Sequence, residues 1–394
     1  MPKQPVVGDD LRKHTRQKIH QMKIGFEPTK SSQKLAIVSV IVASALCAEA
    51  QSSLPVANPP YTVSVFAAPP VAPRKLTNPD SITTANGKIY VVYANATNAD
   101  GTGGFSTVQE YSPTGEALRT FDVLGKADGL KYNPFDHKLW ALRDEDSNPA
   151  LTLIDLESGV QTDFTYAQLP PVHGGGYDDV VFMKGETFIS ASNPTVDANG
   201  QNNFPSIVKA RLVGHQVFVT PVLKGNAKLI DIATGETVVS LQSDPDSLKV
   251  DCAGDLVLDS QADGDLIFIN APGSDNQAGL RLHLSNGTSK QITVDDTVFP
   301  TAPSGTIYVV DTAANTVFAV KSDAFQPGGA YSASDSDGIL GKVDLSTGFV
   351  TPIVSGMKSP HGALFVSALS PESDDENDER DERDNKEESG QHRD

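Results

Sequence analysis

The sequence predicts an all-β propeller, best fitted by six blades with five or seven left open, on two observations. The first is a recurring strand opening. Six times a short apolar strand follows a small polar or charged cluster: Pro79-Asp80-Ser81, Ala127-Asp128-Gly129, Tyr177-Asp178-Asp179, Pro245-Asp246-Ser247, Asp295-Asp296-Thr297 and Pro360-His361-Gly362. From Asp80 the steps to His361 are 48, 50, 68, 50 and 65 residues. Four short strands with their turns occupy about 40–50 residues, one propeller blade. The second observation is local grammar. Residues 54–370 read as strands of about four to eight residues between turn signals, without a convincing long amphipathic helix.

Residues 1–50 stand apart from this pattern. Leu35 to Cys47 is an apolar run of 13 residues, preceded by Lys30 and Lys34 and followed by Ala48-Glu49-Ala50. A charged segment, an apolar core and an A-x-A site predict a bacterial-type secretory signal cleaved near Ala50. The run is too short to span a bilayer, which takes about 20 residues. An exported protein, periplasmic or secreted, is therefore expected, with a propeller domain over residues 51–370.

The first repeat shows how each blade is read. Ser81 to Thr84 leads through Asn86-Gly87 into Lys88 to Tyr93. Asn-Gly between alternating runs marks a tight hairpin because both turn residues need positive φ. Ser106 to Tyr111 then passes through Pro113-Thr114-Gly115 into Ala117 to Phe121, completing four strands. The second repeat has Gly129–Tyr132, Lys138–Leu142, Leu151–Asp155 and Gln161–Phe164; the fourth has Ser247–Val250, Asp255–Leu258, Asp265–Ile269 and Leu280–Leu284. In the fifth, Gly305–Asp311 and Thr316–Val320 are expected as second and third strands. The third and fifth repeats are about 15–20 residues too long for one blade of this size. Lys228–Ile232 and Lys342–Leu345 are the expected surplus, as extra hairpins or long loops. Tyr61–Phe66 and Gly362–Val366 are single strands at the two ends. Pairing them in one blade would close the ring and remove its open edge.

Pro371 to Asp394 holds 12 acids, 4 bases and no aliphatic or aromatic residue, and is expected to be disordered. The chain carries −19 at pH 7, and the stretch between its ends remains acidic. Such a surface excludes nucleic acid and anionic membranes as partners. After cleavage at Ala50 only Cys252 would remain, so no internal disulfide is expected; Cys252 reads as a buried, inert thiol.

The strand openings are the best candidate site. The start of each innermost strand points at the channel, so Asp80, Asp128, Asp178, Asp179, Asp246, Asp295, Asp296 and His361 could converge. Carboxylates with one imidazole suit a hard cation such as Ca²⁺ or Mg²⁺, or Zn²⁺ where the histidine binds. An Asp before a strand also commonly caps its own turn, which is the structural alternative. His173-Gly174-Gly175-Gly176 resembles an esterase oxyanion loop, but no G-x-S-x-G elbow accompanies it. The run leads into Tyr177, so His173 and Tyr177 are expected at the channel mouth. Asp144–Asn148 and Asp335–Gly338 lack the spacing of calcium loops and read as acidic surface turns. Trp140 reads as core.

Several of these elements resemble the NHL and SMP-30/gluconolactonase-like propellers. Gly305 to Asp311 matches their Gly-x-Leu-Tyr-Val-x-Asp element, Pro360-His361-Gly362 their Pro-x-Gly, and Asp155–Gly159 and Asp344–Gly348 their Asp-x-x-x-Gly turn. The resemblance covers most of residues 60–367. For the gluconolactonase-like members it implies one divalent cation at the channel mouth, held by Glu, Asn and Asp, and metal-assisted lactone hydrolysis. No Glu stands at a first-strand opening here. Two functions are therefore expected in turn. The first is an exported binding or scaffold protein whose channel mouth and long loops take a small molecule or protein. The second is a lactonase-type hydrolase with one cation (Ca²⁺, Mg²⁺ or Zn²⁺) on the aspartates and a carboxylate or His361 as base. A monomer without stable membrane insertion is expected in either case.

Overall fold

A computed structural model describes residues 54–71, 73–288 and 291–368. The expected signal segment (1–50) and acidic tail (371–394) lie outside the described residues. Within them the secondary structure is β apart from one 3-10 turn, Gln261–Asp263. No described helix is long and apolar enough to cross a membrane.

Among the described residues the strands form five sheets, within which six runs, or units, of four antiparallel strands can be followed. Unit 1 runs Pro79–Ala85, Lys88–Tyr93, Phe105–Tyr111, Ala117–Leu124; Asn86 and Gly87 at its first turn have φ of 51° and 70°, as the Asn-Gly signal requires. Unit 2 runs Ala127–Asn133, Lys138–Arg143, Ala150–Asp155, Gln161–Tyr166, and unit 3 runs Val180–Met183, Glu186–Ser190, Pro205–Val213, Gln216–Lys224. Their outer strands join in parallel, Thr165 opposite Gln216. Unit 4 runs Pro245–Val250, Leu256–Ser260, Asp265–Asn270, Ala278–His283. The surplus of the third repeat is a hairpin, Lys228–Asp231 with Thr237–Val239. It lies in parallel on the outer strand of unit 4 and covers that edge.

The fifth repeat departs from expectation. Unit 5 consists of Asp296–Val298, Ala330–Ser334, Ile339–Val343 and Val350–Ser355, with Val56–Ala57 on its outer edge. Lys342 to Leu345 is thus an ordinary strand end and turn, not an insertion. Gly305–Asp311 and Thr316–Ser322 leave the unit that Asp296 opens. They supply the two middle strands of unit 6, between Pro360–Ser367 inside and Thr62–Ala67 outside. The reason is edge satisfaction. The two chain ends alone would face each other across an unfilled gap, leaving both with unpaired amides and carbonyls. The crossing hairpin fills that gap, and the end-to-end closure expected from the sequence forms around it.

The first strands of the six units pack in a closed circuit: each contacts the next, and Pro360–Ser367 returns to Pro79–Ala85. That circuit is the wall of the propeller's central channel. Apolar faces of neighbouring units interleave behind it. Tyr90, Val92 and Val108 of unit 1 pack with Leu130, Leu139 and Ile154 of unit 2. Trp140 is buried in the adjoining cluster, as expected, and its Nε1 donates to Asp136 Oδ2 at 2.9 Å. Cys252 departs from expectation: it is exposed, because it sits on the turn following Val250.

Candidate metal centre at the channel mouth

The openings are built by bulges. Pairing of the first strand with the second slips between Pro79 and Ile82, between Ala127 and Leu130, and between Pro245 and Leu248; it slips again opposite Val309 and Asp311, between Pro360 and Ala363. The residues left out of register are Asp80-Ser81, Asp128-Gly129, Asp246-Ser247 and His361-Gly362. A bulge re-aims side chains that a regular pleat would direct elsewhere. Two of these positions demand glycine because neighbouring first strands approach closely. A Cβ on Gly129 would stand 1.9 Å from the carbonyl oxygen of Asp178, and one on Gly362 would stand 2.5 Å from that of Asp80.

Around this mouth lies a cavity of about 310 Å³. It brings together Asp80, Asp128, Asp178, Asp179, Asp246, Asp295, Asp296 and His361, the residues read from the sequence. It also takes in Lys126, Glu145, Asp244 and Asp335. Ten carboxylates thus face two cationic side chains in the lining, a strong local excess of negative charge. Two like charges about 4 Å apart cost about 4 kcal/mol at an effective dielectric of about 20, so these acids cannot all ionise unaided.

Eight of these acids, all but Asp244 and Asp335, sort into three groups by their partners. Asp80 and Asp295 flank His361, whose Nδ1 lies 3.7 Å from Asp80 Oδ1 and 3.0 Å from Asp295 Oδ1. The three offer ligand atoms within 4.8 Å of one another. Burial disfavours a charged imidazole here, but the two carboxylates outweigh it and push His361 up to about 12. Burial raises the Asp80 carboxyl too, and its bond with His361 prevails and holds it below the ordinary range. Asp295 is raised by burial despite His361, with Asp80 and Asp296 adding repulsion. Nε2 of His361 meets Ser359 Oγ at 3.1 Å, so Ser359, His361 and Asp295 share the connectivity of a serine-hydrolase triad. The resemblance stops there: an imidazole kept protonated by two carboxylates cannot take a serine proton, and Ser359 does not line the cavity.

The second group is Asp128, Glu145, Asp178 and Asp246. Asp128 is 5% exposed, and neither of its oxygens accepts a well-formed hydrogen bond. Lys126 Nζ stands 2.9 Å from Oδ2, and the Asp80 and Glu145 carboxyls are its other polar neighbours. Burial and the Asp80 charge push Asp128 up to about 7. Burial raises Asp178 to about 8 although it is hydrogen-bonded to Asp246. Asp246 is driven well above the ordinary range by burial and the Asp178 charge, so the pair shares a proton. Glu145 is likewise driven up by burial and by Asp178 and Asp128.

The third group is structural. Asp179 Oδ1 accepts from its own strand at Val180 N (2.7 Å), and Oδ2 accepts from Leu248 N of the next unit (3.1 Å). Asp296 Oδ2 accepts from Ala363 N of unit 6 at 2.7 Å, and its Oδ1 lies 2.6 Å from Lys249 Nζ. These two aspartates are engaged in stitching neighbouring first strands together, because they sit at or next to the strand's first paired residue and not in the bulge.

His173 and Tyr177 stand elsewhere than expected. Neither lines the cavity. Tyr177 is buried in the core of units 2 and 3, stacked on Tyr166 at 4.1 Å between centroids, and His173 packs edge-on to Tyr177 with Nε2 on the Gly176 carbonyl at 2.7 Å. Aromatic burial outweighs exposure at the mouth. The glycines between them serve packing: a Cβ on Gly176 would lie 2.1 Å from the Glu145 carbonyl oxygen. Glu145 belongs to the acidic turn Asp144–Asn148, outside the strand openings, and its only signal in the sequence is that acidic run. Lys126, two residues ahead of Asp128, carried a signal only in its proximity.

No family model and no curated protein sequence matches the chain. Solved structures similar to it include a periplasmic gluconolactonase from Pseudomonas aeruginosa (14% identity, 75% of this chain and 90% of that one, TM-score 0.42). A putative 6-phosphogluconolactonase from Bacteroides uniformis is similar at 13% identity (75% and 91%, TM-score 0.43). The virginiamycin B lyase of Staphylococcus aureus is similar at 10% identity (79% and 75%, TM-score 0.39). Likeness at this level concerns the propeller fold, and the functional argument rests on the residues of the mouth.

Proposed function

We propose that the acidic mouth is a divalent-cation site and that the protein is a metal-dependent hydrolase acting on compact neutral esters of the lactone type. The observation that carries this reading is the lining itself: Asp128, buried beside the Asp80 and Glu145 carboxyls, faces a cavity in which ten carboxylates meet only Lys126 and His361 as cations. Crowded buried carboxylates are costly, and a cation among them removes much of that cost. Because His361 is engaged as a cation between Asp80 and Asp295, the remaining donors are oxygens: Asp128 and Glu145, which share Lys126 at 2.9 and 3.3 Å, and the Asp178–Asp246 pair. An all-oxygen set suits Ca²⁺ or Mg²⁺ better than Zn²⁺. A cation bound there supplies Lewis-acid polarisation of a carbonyl and a more acidic water.

The chain's own residues do the rest. Burial and mutual repulsion hold protons on the Asp178–Asp246 pair near neutral pH, and a cation beside it would release a carboxylate able to accept the proton of an attacking water. His361 fixes Asp80 and Asp295 at the rim. The negative lining repels carboxylates and phosphates and admits neutral molecules that fit about 310 Å³. A cyclic ester meets both conditions. Export, motivated by the Leu35–Cys47 run, belongs to the same proposal, and the N-terminal residue of protein recovered from the periplasm tests it.

The test is metal content by mass spectrometry on protein purified without chelator, beside Asp128→Asn, followed by lactone hydrolysis with and without chelator. About one divalent ion per chain, lost in the variant together with activity, is expected. A metal-free wild type whose melting temperature ignores added Ca²⁺ and Mg²⁺ would sink the hydrolase reading and leave the binding-protein reading in its place.

A further inference from the structure

Lys126 reaches the mouth from the connection ahead of a first strand, and its backbone is fixed there. Gly125 turns the chain at φ 88°, where a Cβ would stand 2.6 Å from Asp144 Oδ1. Asp144 then clamps the next residue twice. Lys126 N donates to Asp144 Oδ1 at 2.9 Å, and Asp144 N donates to the Lys126 carbonyl at 2.7 Å. From this anchor the side chain runs in among the acids. Its Nζ lies 2.9 Å from Asp128 Oδ2, 3.3 Å from Glu145 Oε1 and 3.8 Å from Asp146 Oδ2. Burial opposes the charge of this ammonium, but the surrounding carboxylates outweigh it and hold the group above the ordinary lysine range.

The mouth therefore already holds a cation against part of its donor set. Asp128 and Glu145, two of the four carboxylates proposed to hold a divalent ion, are the two nearest to the ammonium. His361 differs, because it sits with Asp80 and Asp295, outside that set. A metal ion on Asp128 and Glu145 meets the lysine charge at close range, in a cavity where water screens it poorly. Either Lys126 stays and repels the ion, or it swings away and gives up its own carboxylates. Both lower the affinity.

We infer that Lys126 is the resident counter-cation of the metal-free mouth, and that it weakens divalent-ion binding there by competing for the Asp128 and Glu145 carboxylates. This rests on the reading of the mouth as a cation site. Lys126 keeps the crowded acids compensated when metal is scarce, and it sets how much metal is needed to load them.

The test is calorimetric titration of Ca²⁺ and Mg²⁺ into the whole chain after chelator treatment. Two variants stand beside wild type: Lys126→Met keeps the stem and removes the charge, and Lys126→Arg keeps the charge. Lys126→Met should bind tighter than wild type by about tenfold or more, a modest share of the repulsion between charges about 4 Å apart at an effective dielectric of about 20. Lys126→Arg should stay close to wild type. In chelator the melting temperature of Lys126→Met should fall below that of wild type, and saturating Ca²⁺ should narrow the gap, because tighter binding returns more stability. A lysine that only shapes its loop predicts the opposite sign, since its loss would loosen the carboxylates and weaken the ion. If wild type binds metal and Lys126→Met binds it equally or more weakly, the inference is overturned and the cation site stands. If only Lys126→Met binds, the inference holds and the hydrolase reading of the wild type falls. If neither binds, both fall.

Discussion

Replacing Asp128 by Asn should stabilise the metal-free protein and destabilise the metal-bound one. In the folded chain burial and the Asp80 charge bring Asp128 from the ordinary 3.8 up to about 7. A raised acid favours folding while it keeps its proton. Its contribution is full below pH 3.8, declines as pH rises, and is gone above about pH 7. At about 1.4 kcal/mol per pH unit over that window, the loss is about 4 kcal/mol, a ceiling because the cavity can relax or admit water. Asn cannot ionise and escapes the loss. In chelator, urea denaturation should therefore show the variant gaining on wild type between pH 4 and pH 7, with a constant advantage of up to about 4 kcal/mol above that. Saturating Ca²⁺ or Mg²⁺ should reverse the order at pH 8, because wild type gains the binding free energy and the variant does not. An Asn-minus-Asp difference that ignores both pH and metal would refute the reasoning: Asp128 would then be solvated, and the case for a cation opposite it would fall.

Two further outcomes test the frame of the site. Gly129→Ala should cost about 3 kcal/mol or abolish folding, since its Cβ would meet the Asp178 backbone at 1.9 Å, while Gly104→Ala, with only an ordinary contact at 3.5 Å to Thr97, should stay within about 1 kcal/mol; chemical denaturation of both checks this. His361 is held at about 12 against an ordinary 6.5, so its pairing supports folding fully below pH 6.5 and progressively less as pH rises toward 12. The stability gap between wild type and His361→Ala in chelator should narrow over that window, and a gap that widens would contradict the pairing with Asp295 and Asp80.

Legibility differed among the residues of the mouth for a physical reason. Asp80, Asp128, Asp178, Asp246 and His361 could be found because each opens a repeat, and the repeat fixes which strand faces the channel. The same rule picked up Asp179 and Asp296. It could not see that a shift of one or two positions, out of the bulge and toward the ladder, turns a free carboxylate into one bound by a neighbour's amide. Glu145 and Lys126 belong to no repeat position. They reach the cavity because loops beyond the strands fold back, which local sequence does not encode. His173 and Tyr177 were drawn to the mouth by nearness to Asp178 along the chain, whereas aromatic stacking on Tyr166 holds them in the core.

By itself the sequence determined the strand periods, the Asn86-Gly87 hairpin, the closure of the chain ends and the acidic openings, because these depend on residues adjacent in sequence or on spacing alone. Tertiary structure decided how the last units are shared. Gly305–Asp311 reads as a strand in either unit 5 or unit 6, and only the need to satisfy the edges of two lone terminal strands sends it to unit 6. It also decided the charge states at the mouth. An isolated Asp128 carries its ordinary charge, and only burial beside Asp80 pushes its carboxyl up to about 7.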